Sequence, residues 1–231
     1  MPNFECTALD KRFGSAHALD GVSIKAEPGR VLGLLGPNGS GKTTLIKIAC
    51  GLLQPTGGEV KICGMAPGVE TKKLVSYLPD RMCLPRWMSA QQLVNFYADF
   101  YADFDEKRAG ELLTRLNVTP QQRVKHMSKG TQEKVQLILV MSRRAKLYLL
   151  DEPIGGVDPA TRDFILSTIM TNYAEDAAVI ISTHLISDVE RVLDDVVFID
   201  HGRVVMSGEA DEVRERSGKS VDELFREVFR C

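Results

Sequence analysis

The chain has 231 residues, of which 44% are hydrophobic and 26% charged, and its formal net charge is −2. This length and composition are those of a globular protein with one sizeable domain, or with a core and a smaller satellite. The small net charge argues against a nucleic-acid binder that works by neutralising phosphates, and no apolar run reaches the roughly 18 residues of a membrane span.

The first quarter of the chain contains short, weakly alternating segments, "ECTALD", "GVSIKAEPG" and "GEVKICG", which are punctuated by glycine and proline. This pattern predicts a small antiparallel sheet, and "QPTGG" (54–58) predicts a turn. The segment "VLGLL" (31–35) differs, because a continuous apolar run predicts a buried strand of a parallel sheet.

A glycine-rich loop, "GPNGSGKTT" (36–44), follows this strand and precedes the helix-like "TTLIKIA". It fills the pattern G-x-x-x-x-G-K-[ST] from Gly36 to Thr43, in which backbone N–H groups and a helix N-terminus hold phosphate oxygens. In this pattern Lys42 reaches the β- and γ-phosphates, and the Thr43 hydroxyl binds Mg²⁺. A glycine-rich turn without a ligand is the alternative, and the strand and helix on either side argue against it.

Residues 89 to about 145 predict helices. Helical spacing places the rings of the repeat "YADFYADF" (97–104) on one face and its aspartates on another: Tyr97, Phe100, Tyr101 and Phe104 against Asp99 and Asp103. We expect the aromatic face to pack in the core, with docking of a partner as the alternative. The stretch "MSKGTQEKVQL" (127–137) predicts another helix start, with Ser128 as its cap and Gly130 allowing a ligand close to the backbone.

Two further apolar strands deliver polar residues at their C-terminal ends. "LYLL" (147–150) is followed by Asp151 and Glu152, and "AVIIS" (178–182) by Thr183 and His184. Ligands bind at this edge of an open parallel sheet. We therefore expect Asp151 to hold Mg²⁺ through water and Glu152 to polarise an attacking water. The stretch "VVFIDHGRVVMSG" (196–208) predicts a hairpin.

Taken together, the phosphate loop, "HMSKGTQEKVQL", "LYLLDEPIGGVDP" and "IISTH" resemble, in order and spacing, the ATP-binding subunit of ABC transporters over essentially the whole chain. The resemblance implies an α/β P-loop NTPase (ABC ATPase) with a parallel-sheet core, a small antiparallel β subdomain and an inserted helical subdomain. A single domain would span residues 1–231, with 1–84 and 146–231 in a catalytic lobe and 85–145 in a helical lobe. ATP and Mg²⁺ are the implied substrate and cofactor.

The resemblance assigns ATP binding to nine consecutive loop residues and one aromatic residue that stacks on adenine: Gly36, Pro37, Asn38, Gly39, Ser40, Gly41, Lys42, Thr43 and Thr44, with Phe13. A core position in the small sheet is the alternative for Phe13. Two subunits would pair head to tail, so that the signature residues of each close the ATP bound by the other: Ser128, Lys129 and Gly130. The second glycine-bearing helix start thus serves the neighbour's nucleotide.

Three catalytic and three metal-binding residues also follow from the resemblance. The catalytic residues are Lys42, Glu152 and His184. The metal-binding residues are Thr43, Asp80 and Asp151. The loop after the acids, residues 155–158, would touch the opposite subunit, while Asp158 also caps the following helix.

The sequence departs from the family pattern at two positions. Asp80 stands where most members have a glutamine, and an aspartate can still ligate a hard cation although it is shorter; an ordinary turn after Pro79 is the alternative. Lys129 replaces a signature glycine and either adds charge toward the phosphate or points to solvent. A signature of this "SKG" type, with an acid after "YLP", resembles a bacterial exporter branch.

The leading functional hypothesis is an ATPase that energises export through a separate integral-membrane subunit by ATP-driven dimerisation, as a homodimer or a heterodimer. The alternative is an ATP-gated ABC protein that does not transport and acts as a regulatory or binding module. A kinase or GTPase is disfavoured, because the chain lacks an N-K-x-D motif. The transported substrate and the direction of transport are not encoded in this chain.

We expect a cytoplasmic protein that is peripheral on the inner face of the cell membrane and binds no nucleic acid. The N-terminus lacks a signal-peptide core. The five cysteines show no C-x-x-C spacing, which predicts reduced thiols and no zinc site.

Overall fold

Two β-sheets organise the computed structural model, which describes residues 1–229 apart from the side chains at 159 and 160. Its strands are β1 (Phe4–Phe13), β2 (Ala16–Ala26), β3 (Val31–Leu35), β4 (Gly57–Ile62), β5 (Val75–Leu78), β6 (Leu147–Asp151), β7 (Ala178–Thr183), β8 (Asp195–Asp200) and β9 (Arg203–Glu209). Its helices are α1 (Lys42–Ala49), α2 (Val69–Leu74), α3 (Ala90–Phe100), α4 (Glu106–Arg115), α5 (Lys129–Met141), α6 (Pro159–Asn172), α7 (Ile186–Val189), α8 (Ala210–Ser217) and α9 (Val221–Phe229). Cys231, one of the predicted thiols, lies outside the described residues.

The smaller sheet is antiparallel in the order β2-β1-β4, as the first quarter of the sequence predicts. The larger sheet has the order β5-β6-β7-β3-β8-β9, with β9 antiparallel to β8 and the other pairs parallel. Leu35 lies opposite Thr183, and Asp151 lies opposite Ser182. The predicted α/β class is confirmed, and the strand ends that carry the predicted ligands are neighbours.

The larger sheet separates two hydrophobic cores, because successive side chains of a strand point to opposite faces. Leu32 and Leu34 of β3 pack with α1 and the smaller sheet. Val31 and Leu35 pack on the other face with the apolar residues of α5, α6 and α9. Burying each such side chain contributes about 1.5–3 kcal/mol, so β3 and the loop that follows it are held from both sides.

A third core joins α3 and α4 to α5, and it includes Leu93, Leu112 and Ile138. Leu137 and Val140 of the same α5 belong to the core beneath the larger sheet. The helix α5 therefore packs simultaneously on the helical part of the chain and on the sheet.

The aromatic repeat does not form one continuous helical face, so that prediction was wrong. The helix α3 ends at Phe100, and Tyr101 is extended, with φ −115°. The Arg143 guanidinium lies 3.8 Å from the centre of the Tyr101 ring and binds both carboxylate oxygens of Asp103 at 3.0 Å. These contacts hold the second half of the repeat outside the helix, and Phe100 is left 69% exposed.

No helix within residues 1–229 combines the length and the apolar character needed to cross a bilayer.

Candidate nucleotide-binding site

The phosphate loop leaves β3 and enters α1 in a conformation that glycine allows. Gly41, which precedes α1, has φ 112°, and a Cβ there would lie 2.5 Å from the carbonyl oxygen of Ala18. A Cβ on Gly36 would lie 2.2 Å from the carbonyl oxygen of Ile199. The backbone of the loop thus packs directly against β2 and β8, and the loop leads into the N-terminus of α1, a position that favours anions.

The remaining residues of the phosphate loop differ in their exposure to solvent. Asn38 and Gly39 are exposed at its tip, while Pro37 and Thr44 are half-buried. Ser40 is buried, and its Oγ has no hydrogen-bond partner among the described residues. The structure therefore places an open hydroxyl inside the loop.

Lys42 lies inside the loop that it follows. Its side chain is 5% exposed, and Nζ donates to the carbonyl oxygens of Gly36 at 2.7 Å and Pro37 at 3.1 Å. Nζ also lies 3.6 Å from Oε1 of Glu152. Burial lowers the pKa of Lys42, while the carboxylates of Glu152 and Asp151 act in the opposite direction. The loop thus contains a desolvated cation, which attracts phosphate strongly.

Asp151 provides an open carboxylate oxygen beside a hydroxyl group. Its Oδ1 accepts hydrogen bonds from Ser182 Oγ at 2.6 Å and Thr43 Oγ1 at 3.1 Å. Its Oδ2 is buried and has no hydrogen-bond partner among the described residues. Burial raises the pKa of Asp151, the two hydroxyl bonds lower it, and the charges of Asp80 and Glu152 raise it further. Carboxylate and hydroxyl oxygens are ligands that Mg²⁺ prefers, so these residues fit the implied cation.

Glu152 is held by three neighbouring groups. His184 Nδ1 lies 3.1 Å from both carboxylate oxygens, and Thr183 Oγ1 donates to Oε2 at 3.0 Å. The Glu152 N–H donates to the Ser182 carbonyl at 2.9 Å. Its φ of +50° is unusual for a non-glycine residue and typically costs about 1–3 kcal/mol. The structure thus brings Glu152 into contact with His184, each of which the sequence analysis assigns separately to catalysis.

The signature turn begins α5, as the sequence predicts. Ser128 Oγ accepts the N–H of Thr131 at 3.2 Å, and Ser128 itself is exposed. Lys129 Nζ lies 3.6 Å from Glu133 Oε1. A Cβ on Gly156 would lie 3.2 Å from the same Lys129 Nζ. Lys129 therefore lies against the loop that follows Glu152. Within residues 1–229, the hydrogen bonds and ion pairs of Ser128 and Lys129 do not reach the phosphate loop.

Asp80 and Phe13 are two predicted site residues that are exposed to solvent. Asp80 is exposed after β5 and lines a cavity of about 150 Å³ together with Asp151 and Glu152. Phe13 ends β1 and is 50% exposed, and Lys11 Nζ lies 4.8 Å from the centre of its ring. The alternative of a core position for Phe13 was therefore wrong, and the ring is accessible to a ligand.

Several groups to which the sequence analysis gave no part in ligand binding or catalysis support this site. Ser182 and Thr183 hold the two acids, and their hydroxyl groups at the end of a buried strand were the available signal. Gly202, in the turn between β8 and β9, donates its N–H to the Ser40 carbonyl at 2.9 Å. Only the folded chain shows that contact, because the two residues are distant in sequence. Asp158 caps α6 through the N–H of Thr161 at 3.1 Å, as predicted.

The chain is similar in sequence and in fold to known ATP-binding proteins. A family model described as ABC transporter matches residues 19–155. The chain is 32% identical over 209 residues to an uncharacterized ABC transporter ATP-binding protein, YdbJ of Bacillus subtilis (strain 168), covering 88% of this chain and 68% of the relative. A solved ATP-binding subunit of an ABC transporter is 30% identical, with a TM-score of 0.88 over 98% of this chain and 99% of the other. A dimer of the cassette MJ0796 with ADP and Pi shares the fold at 20% identity, with a TM-score of 0.78 over 89% of this chain and 98% of the other.

Proposed function

This chain belongs to the ABC transporter family, and from that premise we propose that it is the ATP-hydrolysing subunit of an exporter whose membrane-spanning part is a separate chain. One observation carries the proposal: a buried lysine, a threonine hydroxyl and two acids converge where β3 and β6 end. Thr43 Oγ1 lies 3.1 Å from Asp151, and Lys42 Nζ lies 3.6 Å from Glu152.

The phosphate loop would bind the triphosphate of ATP. Lys42 would exchange the carbonyl oxygens of Gly36 and Pro37 for phosphate oxygens, which compensate its charge better than neutral carbonyls do. Mg²⁺, held by Thr43, Asp151 and Asp80, would neutralise negative charge on the phosphates. Phe13 would stack on the adenine ring.

Glu152 would act as the general base and accept a proton from the attacking water. Hydrogen bonds from Thr183 and His184 fix its carboxylate, so the base is oriented before the substrate arrives. The His184 side chain is 39% exposed, and we propose that it also contacts the γ-phosphate. General-base catalysis typically contributes about 10²–10⁴-fold, which sets the size of the loss expected when this carboxylate is removed.

A second copy of the chain would complete each site. Ser128 and Gly130 present a helix start, which favours anions, yet Ser128 makes no hydrogen bond to the phosphate loop of its own chain within the described residues. A twofold pair would bring each signature turn to the other loop and form two sites from one sequence. The dimeric cassette with ADP and Pi supports this arrangement, and a heterodimer with a related chain is the alternative.

The membrane-spanning partner would dock on exposed aromatic side chains of α3 and of the segment that precedes it, namely Trp87, Phe96 and Phe100. These side chains are 67%, 52% and 69% exposed, and Phe96 and Phe100 stack with ring centres 6.2 Å apart. Exposed apolar patches of this kind mark interaction sites. A cytoplasmic segment of the partner bound here would hold the chain at the inner membrane face.

Three measurements test the proposal. ATP turnover should fall about 10²–10⁴-fold in Glu152→Gln, and the exposed Glu215→Gln on α8 should match the parent. The Glu152→Gln chain should become dimeric with MgATP, as measured by light scattering. An integral-membrane chain should co-purify with the tagged protein. Unchanged turnover in Glu152→Gln would overturn the role of that residue, and recovery of ribosomes or DNA without a membrane chain would favour the non-transport alternative.

A further inference from the structure

A single buried side chain closes the loop that carries Asp80. Gln136, on α5, is 5% exposed, and its Nε2 donates to the Pro79 carbonyl at 3.2 Å. Its Oε1 accepts the Cys83 N–H at 3.2 Å and lies 3.7 Å from the Cys83 Sγ. Among the described residues, no other hydrogen bond reaches the backbone between Pro79 and Cys83. One amide group therefore holds both ends of the loop.

The same helix carries the signature turn at its N-terminus. Eight residue steps separate Ser128 from Gln136, which corresponds to about 12 Å of α-helix. From Val135 to Met141 the helix is buried without a break, so it moves as one body with the residues it packs on. A displacement of the signature turn must therefore be transmitted to Gln136 and, through its two hydrogen bonds, to the loop.

The loop faces the catalytic acids. Asp80 and Gln136 line the cavity of about 150 Å³ that also contains Asp151 and Glu152 in its wall. Because Asp80 and Asp151 line one small cavity, their carboxylates lie within electrostatic reach of each other. A change in the position of the loop would therefore change the negative charge around the metal-binding oxygens.

We propose that Gln136 is a positioning residue that couples the signature turn to Asp80, so that closure of the turn on a partner's ATP sets the position of Asp80 in its own chain. This inference rests on the proposed function, because it needs ATP-driven closure between two copies. It adds a residue that touches neither nucleotide nor metal. Its amide supplies one donor and one acceptor at fixed separation, which an apolar side chain of similar size cannot do.

The choice of substitutions follows from that geometry. Gln136→Met keeps the volume and removes both hydrogen bonds. Gln136→Glu keeps the shape, and its carboxyl group can restore both bonds only when protonated, by donating to Pro79 and accepting from Cys83. Ser76→Ala is the matched control, because Ser76 Oγ donates to the Val140 carbonyl at 2.8 Å and so ties β5 to the same helix without touching the loop.

The experiment uses the full chain labelled with ¹⁵N at cysteine only, so that Cys83 gives one of at most five amide signals, identified by its loss in Cys83→Ser. In Gln136→Met, the Cys83 amide should exchange with solvent about tenfold faster than in the parent. Its kcat for ATP should fall about tenfold, with KM changed less than about twofold, since the phosphate loop is untouched. In Ser76→Ala both quantities should stay within about twofold of the parent.

Two further readouts separate coupling from packing. The kcat of Gln136→Glu, relative to the parent, should recover as the pH falls from about 8 to about 6, because protonation restores the lost donor. The last measurement compares two chains that both carry Glu152→Gln. MgATP should change the Cys83 exchange rate in the chain with Glu152→Gln alone, and it should leave the rate unchanged in the chain that also carries Gln136→Met.

Three results would overturn the inference: Cys83 exchange in Gln136→Met within twofold of the parent, an equal loss of kcat in Ser76→Ala, or the same response of Cys83 to MgATP in Gln136→Met as in the parent. Absence of an MgATP dimer in the Glu152→Gln chain would instead overturn the proposed function. The exchange rate of Cys83 without nucleotide would still test whether Gln136 holds the loop.

Discussion

Replacing Asp151 by asparagine should stabilise the nucleotide-free chain and abolish its response to Mg²⁺. The carboxylate is 1% exposed, and Oδ2 has no hydrogen-bond partner among the described residues. Asparagine keeps an acceptor oxygen for Ser182 and Thr43 while it removes a buried charge, whose desolvation exceeds that of a neutral amide. We expect the free energy of unfolding to rise by about 1–2 kcal/mol. The melting temperature should rise by about 2–4 °C per kcal/mol for a chain of this length.

This gain should depend on pH, because burial raises the pKa of Asp151 above the ordinary aspartate value of 3.8. A carboxyl group with a higher pKa in the folded chain than in the unfolded chain favours the fold fully below the unfolded pKa. It loses that contribution as the pH rises through the folded pKa. The variant and the parent should therefore melt at similar temperatures below about pH 4, and the difference should be largest at neutral pH.

Thermal melting by circular dichroism, with and without MgATP, measures both effects. The parent should gain stability with MgATP and the variant should not, since the metal-binding oxygen is lost. The exposed Asp99→Asn on α3 controls for a change of net charge. If Asp151→Asn melts below the parent at neutral pH without nucleotide, then the carboxylate is not a desolvated charge awaiting a cation, and the argument fails.

Three other predictions follow from described contacts. Arg143→Met should lower the free energy of unfolding in urea by about 3–5 kcal/mol, because Asp103 and the carbonyls of Val75 and Lys73 lose their donor; a loss below about 1 kcal/mol would contradict this. Phe13→Ala should raise the KM for ATP about fivefold, Phe13→Trp should not, and an unchanged KM in both would exclude stacking on adenine. Lys42→Ala and Ser128→Arg should each be inactive alone. An equal mixture of the two variants should regain about a quarter of parental turnover, because about half of the dimers are mixed and each mixed dimer has one intact site of two. An inactive mixture would exclude sites shared between copies.

The parts of the site that the sequence predicts are those whose chemistry lies in one short segment. The turn from β3 into α1 needs glycine at Gly36 and Gly41 for steric reasons that hold in any chain, and a lysine and hydroxyl follow at once. Asp151 ends β6, a strand too apolar to be anything but buried, and Glu152 follows it directly. Parallel pairing then brings that strand end beside the phosphate loop, since ligand edges coincide in such sheets.

The parts that the sequence does not predict depend on contacts between distant segments. The aromatic repeat has the spacing of a helix, but the contacts of Arg143 with Tyr101 and Asp103 hold its second half outside α3. Local periodicity contains no information about that contact. The support of Ser40 by Gly202 and the closure of the Asp80 loop by Gln136 are equally non-local. Contacts of this kind connect segments that are distant in the sequence, and no motif marks them.

The two halves of α5 differ in how exposed they are, and therefore in the amino-acid substitutions that they tolerate. Lys129 is exposed and Gly130 to Lys134 are half-buried, whereas Val135 to Met141 are fully enclosed. A change of side-chain volume in the enclosed half disturbs the packing of α5, whereas a substitution in the open half mainly changes the surface that a second copy would meet. Related chains within one cell could therefore diverge in the open half to choose among partners. The same half offers protein engineers a place to install orthogonal pairing.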